Sequence, residues 1–227
     1  MIMNTNTKLS LEKQLEEYRF ALSKVSHEIR NPVTLINSSL QLMEKEHPEF
    51  KQYDLWQNVM EDMQFLRRLL DDLSAYNNTY RCQLVKTQMG PWLSKLAESI
   101  PLLFTNTHIH YNVNISDSLP CALIDTLKLN QALTNLLRNA FEAAETQVSF
   151  LAYQKENSLC LEIYNDGTPI SFEQKQEIFT PFVTTKSEGT GLGLPIAKGI
   201  INSHNGSLIL DSSKEGETRF LVSLPLC

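Results

Sequence analysis

Apolar residues in the first third of the chain recur at steps of three and four, the spacing of one face of an α-helix. One series, the first seam, comprises Leu11, Leu15, Tyr18, Leu22, Val25, Ile29, Val33, Ile36, Leu40 and Met43. A second follows the loop EKEHPEFK and comprises Trp56, Val59, Met63, Leu66, Leu70 and Leu73. Two helices joined by a short loop make a helical hairpin. We expect a second copy of the chain to cover the exposed seam in a four-helix bundle, with docking onto the rest of the chain as the alternative.

After residue 81 the periodicity becomes mixed. The stretch HIHYNVNI alternates apolar and polar residues and predicts a half-buried strand. Further helices are predicted at 91–104, 126–145 and 191–204, and further strands at 147–154, 158–164, 207–213 and 218–226. The sequence therefore predicts an α+β protein with two domains, a helical hairpin over residues 10–81 and an α/β sandwich over residues 82–227.

Composition excludes several classes of function. The net charge of −6 gives no basic footprint for nucleic acid. No apolar run is long enough for a membrane span, and no signal peptide opens the chain. The four cysteines are scattered without metal-binding spacing, which favours a reducing, cytoplasmic compartment.

A polar cluster interrupts the first seam in KVSHEIRNPVTLI, residues 24–36. His27 is two residues from both Val25 and Ile29, so helical geometry directs it away from the seam and into solvent. Glu28 is adjacent, Asn31 lies one turn on, and Pro32 predicts a local kink. A lone histidine of this kind is usually an ordinary surface residue, but an imidazole beside a carboxylate also suits nucleophilic catalysis.

Four patches of the second region could carry chemistry, and one of them is the loop IFTPFVTTKSE, which contains two phenylalanines and Lys186. Asn135 and Asn139 share one helical face, and amide oxygens are suitable ligands for Mg²⁺. The turn NDGTPI follows a predicted strand. The glycine-rich stretch GTGLGL precedes a helix, where backbone N–H groups can approach phosphates. Each patch alone also fits an ordinary solvated face or turn.

In combination, the series SHEIRNP, NLLRNAFEA, NDGTPI, IFTPF and GTGLGL resembles the H, N, G1, F and G2 boxes of the sensor histidine kinases of two-component systems, in the family's order. The resemblance spans the chain from about residue 15 to its end. It implies a homodimerising phosphotransfer hairpin, an ATP-binding domain and a response-regulator partner.

Carried over to this chain, the resemblance assigns a role to each matching residue. It implies that His27 is the phospho-acceptor, that Glu28 is its base, and that Glu28 with Asn31 can position a water for dephosphorylation of the partner. It implies Mg²⁺ binding by Asn139. The remaining ATP-binding residues that it implies are Asn135, Gly167, Phe179, Phe182, Lys186, Gly189, Thr190, Gly191, Leu192 and Gly193.

The adenine loop departs from the family's pattern. Aligned on Gly167 and Ile170, the chain has Asn165 where the family has Asp, and Pro169 where it has a second glycine. An Asn oxygen can still accept a hydrogen bond from the adenine amino group. Asp166 is the competing base-binding residue.

Two other functions stay open. One is ATP hydrolysis, as in related superfamily members that carry a carboxylate where this chain has Asn135. The other is a phosphorelay or scaffold protein with a degenerate ATP domain. Because little sequence precedes residue 10, we expect either a fragment of a longer kinase or a kinase regulated by partner proteins.

Overall fold

The computed structural model describes residues 5–104, 108–186, 189–214 and 216–226, with side chains described there except at residues 5–20, 172 and 212–214. The chain divides into two compact units, Met1–Asn78 and Thr79–Cys227. The boundary predicted from sequence lies close to this division. None of the helices in the described ranges combines the length and apolarity needed to cross a bilayer.

The first unit is a helical hairpin of α1 (Thr5–Glu46) and α2 (Asp54–Asn77), which pack against each other. A 3₁₀ turn, Pro48–Gln52, joins them. The second unit is an α/β domain. Its helices and strands in chain order are β1 (Val85–Gln88), α3 (Met89–Ser99), β2 (His110–Ile115), β3 (Cys121–Ile124), α4 (Thr126–Ala143), β4 (Gln147–Lys155), β5 (Ser158–Asn165), α5 (Phe172–Glu177), α6 (Gly193–Ser203), β6 (Ser207–Lys214) and β7 (Glu217–Pro225).

The face that α1 buries in the hairpin is not the first seam. Ser26, Val33 and Asn37 are buried, and of these only Val33 belongs to the seam. Most other described seam residues are 43–52% exposed, namely Leu22, Val25, Ile29, Ile36 and Met43. The side chains of Leu11, Leu15 and Tyr18 lie outside the described residues. The second series, on α2, is buried or half-buried. The hairpin therefore leaves most of the described part of the first seam uncovered.

The α/β domain is built on a five-stranded sheet of order β2-β4-β5-β7-β6. β2 and β4 are parallel and the other neighbours are antiparallel. Helices α4 and α6 pack against each other and against the sheet, and most of their apolar residues are buried there, whereas Leu127 at the start of α4 is 83% exposed. This packing follows from the amphipathic period of α4, which places Leu129, Leu133, Leu136 and Leu137 in the core.

The sequence missed three short elements. β1 and β3 pair antiparallel as a separate two-stranded sheet, with Val85 opposite Ile124. α5 begins with a capping box in which Ser171 and Gln174 bond reciprocally, a signal that the sequence contains. The helix predicted at 91–104 ends at Ser99, and a separate 3₁₀ turn, Pro101–Leu103, follows it. The other predicted strands and helices of this unit are confirmed to within a few residues.

A buried histidine ties the start of α4 to the end of α6. His204 is 2% exposed. Its Nε2 accepts a hydrogen bond from the Asp125 backbone N–H at 2.9 Å, and its Nδ1 donates to the Ile200 carbonyl at 2.8 Å. Asp125 also caps α4 by accepting from the Lys128 backbone N–H at 3.1 Å. These bonds orient the two helices that carry the site described below.

Candidate active site

His27 is exposed on α1, as predicted, although the seam residues Val25 and Ile29 are exposed as well. The Arg30 guanidinium lies beside it, with Nη1 at 3.5 Å from the imidazole Nδ1. Arg30 is itself held by α2, because its Nη2 donates to the Leu70 carbonyl at 3.1 Å and to Asp71 Oδ1 at 3.0 Å. The hairpin thus presents an accessible imidazole beside an anchored positive charge.

Glu28 and Asn31 are also exposed on α1. Glu28 Oε1 lies 4.0 Å from Lys24 Nζ, in a surface pair that contributes little to stability. Among the described residues, the Glu28 carboxylate makes no hydrogen bond to His27. α1 continues through Pro32 to Glu46 as one helix. The structure therefore places the three predicted catalytic residues near one another on α1 but shows no acid–base contact between them.

Two asparagines of α4 face the start of α6 and the loop before it. Asn135 Nδ2 donates to the carbonyl of Gly193, the first residue of α6, at 3.2 Å. Asn139 Oδ1 accepts from Lys186 Nζ at 3.5 Å. Lys186 also forms an ion pair with Glu142. The predicted residues Asn139 and Lys186 are therefore in contact.

Glu142 was not singled out from the sequence, although it follows Asn139 by three residues and so lies on the same helical face. Its carboxylate and the Asn139 amide supply two oxygen donors one turn apart. Mg²⁺ is commonly held by one or two protein oxygens, with phosphates and waters completing its coordination. The donor set of α4 therefore fits a magnesium ion that is shared with phosphate groups.

The glycine-rich stretch approaches the preceding loop closely. Gly191 adopts the left-handed conformation with φ 66°, and its carbonyl accepts from the Phe182 backbone N–H at 3.1 Å. A Cβ at Gly191 would lie 2.6 Å from the Phe182 carbonyl carbon, so only glycine fits. A Cβ at Gly189 would lie 2.5 Å from Thr184 Oγ1. These contacts bring the two ends of the loop between Phe182 and Gly191 together.

Helix α6 begins directly after this stretch. Its N-cap residue, buried Leu192, supplies no side-chain hydrogen bond, and its first turn contains no acidic residue. The Thr190 hydroxyl accepts from the Leu192 backbone N–H at 3.4 Å. The first N–H groups of a helix have no partner within the helix and carry partial positive charge. The N-terminus of α6 therefore suits an anion such as phosphate.

The two predicted lid phenylalanines differ in their environment. Phe179 is half-buried, and its ring packs edge-on against Phe220 at 6.4 Å between centroids. Lys198 Nζ, which the sequence gave no reason to select, lies 4.3 Å from the Phe179 ring centroid. Phe182 is 59% exposed and has φ 67°, a conformation that is uncommon for an aromatic residue. Phe179 is anchored to the domain, whereas Phe182 projects from it.

Asn165 ends β5 and is 2% exposed. It lies opposite Val148 on one neighbouring strand and Thr218 on the other, and Val148 lies opposite Tyr111. Directly paired residues project to the same face of a sheet, so these side chains form one row on the core face. The Asn165 Nδ2 atom is buried and has no hydrogen-bond partner among the described residues.

The Asp166 carboxylate has a different environment. It accepts hydrogen bonds from the backbone N–H groups of Glu145, Thr146 and Gln147 and from the Thr146 hydroxyl. Burial raises the pKa of this carboxyl group, but the hydrogen bonds outweigh burial and lower the pKa to about 2. Asp166 therefore holds the loop between α4 and β4.

Gly167 packs against the end of α4. A Cβ at this position would lie 1.6 Å from the Ala143 carbonyl oxygen, which leaves no space for any other residue. The turn Asn165–Gly167 is therefore seated directly on the helix that carries Asn135 and Asn139.

Comparisons with known proteins match both units. Residues 18–78 match the model of the His Kinase A (phospho-acceptor) domain. Residues 124–227 match the model of the histidine kinase-, DNA gyrase B- and HSP90-like ATPases. The chain is 23% identical over 225 residues to the signal transduction histidine-protein kinase AtoS of Escherichia coli, covering 98% of this chain and 37% of AtoS. It is 29% identical over 217 residues to the sensory histidine kinase/phosphatase NtrB of Rhodobacter capsulatus, and the match covers 89% of this chain and 60% of NtrB.

The fold is also similar to that of solved structures. Full-length ShkA in complex with AMPPNP superposes with a TM-score of 0.77 at 22% identity, over 90% of this chain and 45% of ShkA. The chain spans 37% and 60% of the lengths of AtoS and NtrB, so it corresponds to one part of each.

Proposed function

We propose that this chain, which belongs to the sensor histidine kinase family, transfers the γ-phosphoryl group of ATP to His27. The observation that carries the proposal is an exposed imidazole on the phospho-acceptor hairpin of a chain whose other unit contains a phosphate-compatible site. His27 is accessible to a nucleotide and to a protein partner because its side chain is exposed in the described part of the hairpin.

The second unit supports ATP binding through three groups of residues. Asn165 is positioned to contact the base. The N-terminus of α6, with Gly189, Gly191 and Gly193 before it, offers backbone N–H groups to the phosphates. Asn139 would hold Mg²⁺, and Lys186 would exchange its ion pair with Glu142 for a phosphate oxygen. Asn135 donates to the Gly193 carbonyl and offers no carboxylate to activate water, which favours a kinase over a hydrolase.

The chemistry at His27 requires one ring nitrogen with a free lone pair and a base for the proton on the other. The lone pair attacks the γ-phosphorus, the bond to the β-phosphate oxygen breaks, and ADP leaves. Glu28 takes the ring proton after turning from its weak pair with Lys24. Arg30 remains near the ring and stabilises the negative charge of the incoming phosphoryl group. When bound, Mg²⁺ neutralises charge on the β- and γ-phosphates.

The test is incorporation of phosphate from γ-labelled ATP. We expect His27→Ala to abolish acid-labile labelling while leaving the affinity for ADP unchanged within about twofold. His47→Ala is the matched control, because His47 is an exposed histidine of the same unit and lies in the loop between α1 and α2. Acid-labile label that persists in His27→Ala and disappears in His47→Ala would refute the assignment.

The same proposal extends to partners. The N–P bond of phosphohistidine is labile, so the phosphoryl group can pass to an aspartate of a response-regulator receiver domain. The exposed part of the first seam supports a homodimer, since contact with a second hairpin would bury Val25, Ile29 and Ile36.

A second activity is favoured by Asn31. This residue is exposed one turn from His27, where its amide can position a water against the phosphorylated aspartate of a bound partner. The name of the relative NtrB includes phosphatase activity. We expect Asn31→Ala to retain autophosphorylation and to lose dephosphorylation of a phosphorylated receiver domain. Equal loss of both activities would argue against a separate role in dephosphorylation.

A further inference from the structure

The buried amide of Asn165 is an unusual group to find at a nucleotide-base site. The side chain is 2% exposed, yet its Nδ2 atom has no hydrogen-bond partner among the described residues. A buried N–H donor without a partner is destabilising, so such groups are rare in folded proteins. An acceptor on a ligand would satisfy it. No bond made by Nδ2 holds the amide in one orientation.

We infer that Asn165 makes the base site complementary to 6-oxopurine nucleotides as well as to 6-aminopurine nucleotides, an inference that rests on the proposed nucleotide site. An amide has one acceptor oxygen and two N–H donors. Towards adenine, Oδ1 accepts from the 6-amino group and Nδ2 donates to ring N1. Towards hypoxanthine or guanine, Nδ2 donates to O6 and Oδ1 accepts from the N1–H. A 180° turn of the amide exchanges the two arrangements.

A carboxylate at this position would behave differently. An ionised Asp has acceptors only, so an oxygen placed at the 6-position accepts from the amino group of adenine but meets the lone pairs of O6 in a 6-oxopurine, where no hydrogen bond can form. A site that hydrogen-bonds one group rejects analogues that lack it, because its buried polar atoms are then left unpaired. Asn165 in place of Asp therefore removes a main source of discrimination between the two purine classes.

Neighbouring groups support this assignment to Asn165. The Asp166 carboxylate is occupied by three backbone N–H groups and the Thr146 hydroxyl, so it is not free to bind a base. In the row that contains Asn165, Val148 is apolar and fully buried, whereas Thr218 on the other neighbouring strand carries a hydroxyl group.

The experiment measures the dissociation constants of ADP and IDP, with Mg²⁺, for the whole chain and its variants by calorimetry. IDP carries the 6-oxo group without the 2-amino group of guanine, so it probes the 6-position alone. We expect the wild-type protein to bind IDP within about tenfold of ADP. We expect Asn165→Asp to raise the ratio of the IDP constant to the ADP constant by about tenfold or more.

Asn114→Asp is the matched control. Asn114 is exposed on β2, and its place in the alternation puts it on the sheet face opposite to Asn165, so the same added charge there leaves the ratio unchanged. Thermal melting shows that each variant is folded. Asn165→Ala offers a further check. It removes both hydrogen bonds to the base, so we expect it to weaken the binding of ADP and of IDP together.

The inference would be overturned if the ratio of the IDP dissociation constant to the ADP dissociation constant exceeded about tenfold for the wild-type protein. It would also be overturned if that ratio were the same for Asn165→Asp as for the wild type. If ADP binds and IDP does not, the proposed kinase function survives and only the relaxed base recognition is lost. If neither nucleotide binds to the folded wild-type protein, the proposed function fails as well.

Discussion

Replacing Asp166 with Asn tests how much the turn after β5 contributes to folding of the α/β domain. The wild-type carboxylate accepts three backbone N–H bonds and one hydroxyl bond from the loop between α4 and β4. An Asn side chain of the same shape has one acceptor oxygen and turns an N–H group towards these donors. We expect Asp166→Asn to lower the free energy of unfolding of this domain by about 1–2 kcal/mol at pH 7.

The pKa of Asp166 sets the pH dependence. The folded-state pKa is about 2, against the ordinary 3.8. Since each pKa unit is worth ~1.36 kcal/mol, this difference corresponds to a contribution of about 2.4 kcal/mol to the free energy of unfolding at neutral pH. The carboxylate is partly exposed, so solvent screening reduces this to about 1 kcal/mol. Because the folded-state pKa is depressed, the stabilisation is fully present above pH 4 and is lost as the pH falls towards 2. The difference between wild type and Asp166→Asn therefore shrinks over that interval.

The assay is urea unfolding at pH 7, 5, 4 and 3, followed by tryptophan fluorescence. The chain has two tryptophans, one in each unit, so a Trp56→Phe background leaves Trp92 as the reporter on the α/β domain. Asp117→Asn, at an exposed position after β2, is the control for removing a carboxylate. The reasoning would be refuted if Asp166→Asn left the free energy of unfolding unchanged at pH 7. It would also be refuted if the decrease in that free energy were equal at all four pH values.

Three further outcomes are expected. Gly167→Ala places a Cβ 1.6 Å from the Ala143 carbonyl oxygen, so we expect a loss of about 2 kcal/mol or more in urea unfolding and weaker ADP binding; unchanged stability would show that the turn can move off α4. Light scattering is expected to give about twice the chain mass of 25.9 kDa, and Ile29→Asp to shift it towards the monomer; a monomeric wild type would contradict the proposed dimer. Asn139→Ala is expected to weaken Mg-ATP binding by about tenfold or more and Asn135→Ala less, whereas equal, wild-type affinities would remove the proposed metal ligand.

Much of the architecture is determined by residues that lie close together in the sequence. The two helices of the hairpin follow from apolar residues at steps of three and four, and the period of α4 places its leucines in the core. These features depend on residues within a turn or two of each other, which is why the sequence alone determines them.

Other features depend on partners that are distant in sequence. β1 and β3 are four residues each, too short for a clear pattern, and they exist because Val85 pairs with Ile124 in a ladder. The face of α1 that contains Ser26 and Asn37 is buried by contact with α2, not because it is apolar. Short strands and polar helix faces carry weak local signals, so the packing partner decides their structure.

The same division applies to the site. The asparagines of α4 and the glycines before α6 can be selected from sequence, but the contact of Lys186 with Asn139 and Glu142 depends on a loop folding back over α4. The sequence left Asn165 and Asp166 as alternatives because they are adjacent in one turn. The structure separates them: the end of β5 directs Asn165 into the core row of the sheet, while backbone N–H groups about twenty residues earlier in the chain take up the Asp166 carboxylate. Side-chain direction at the end of a strand depends on sheet register, which tertiary contacts set and local sequence does not.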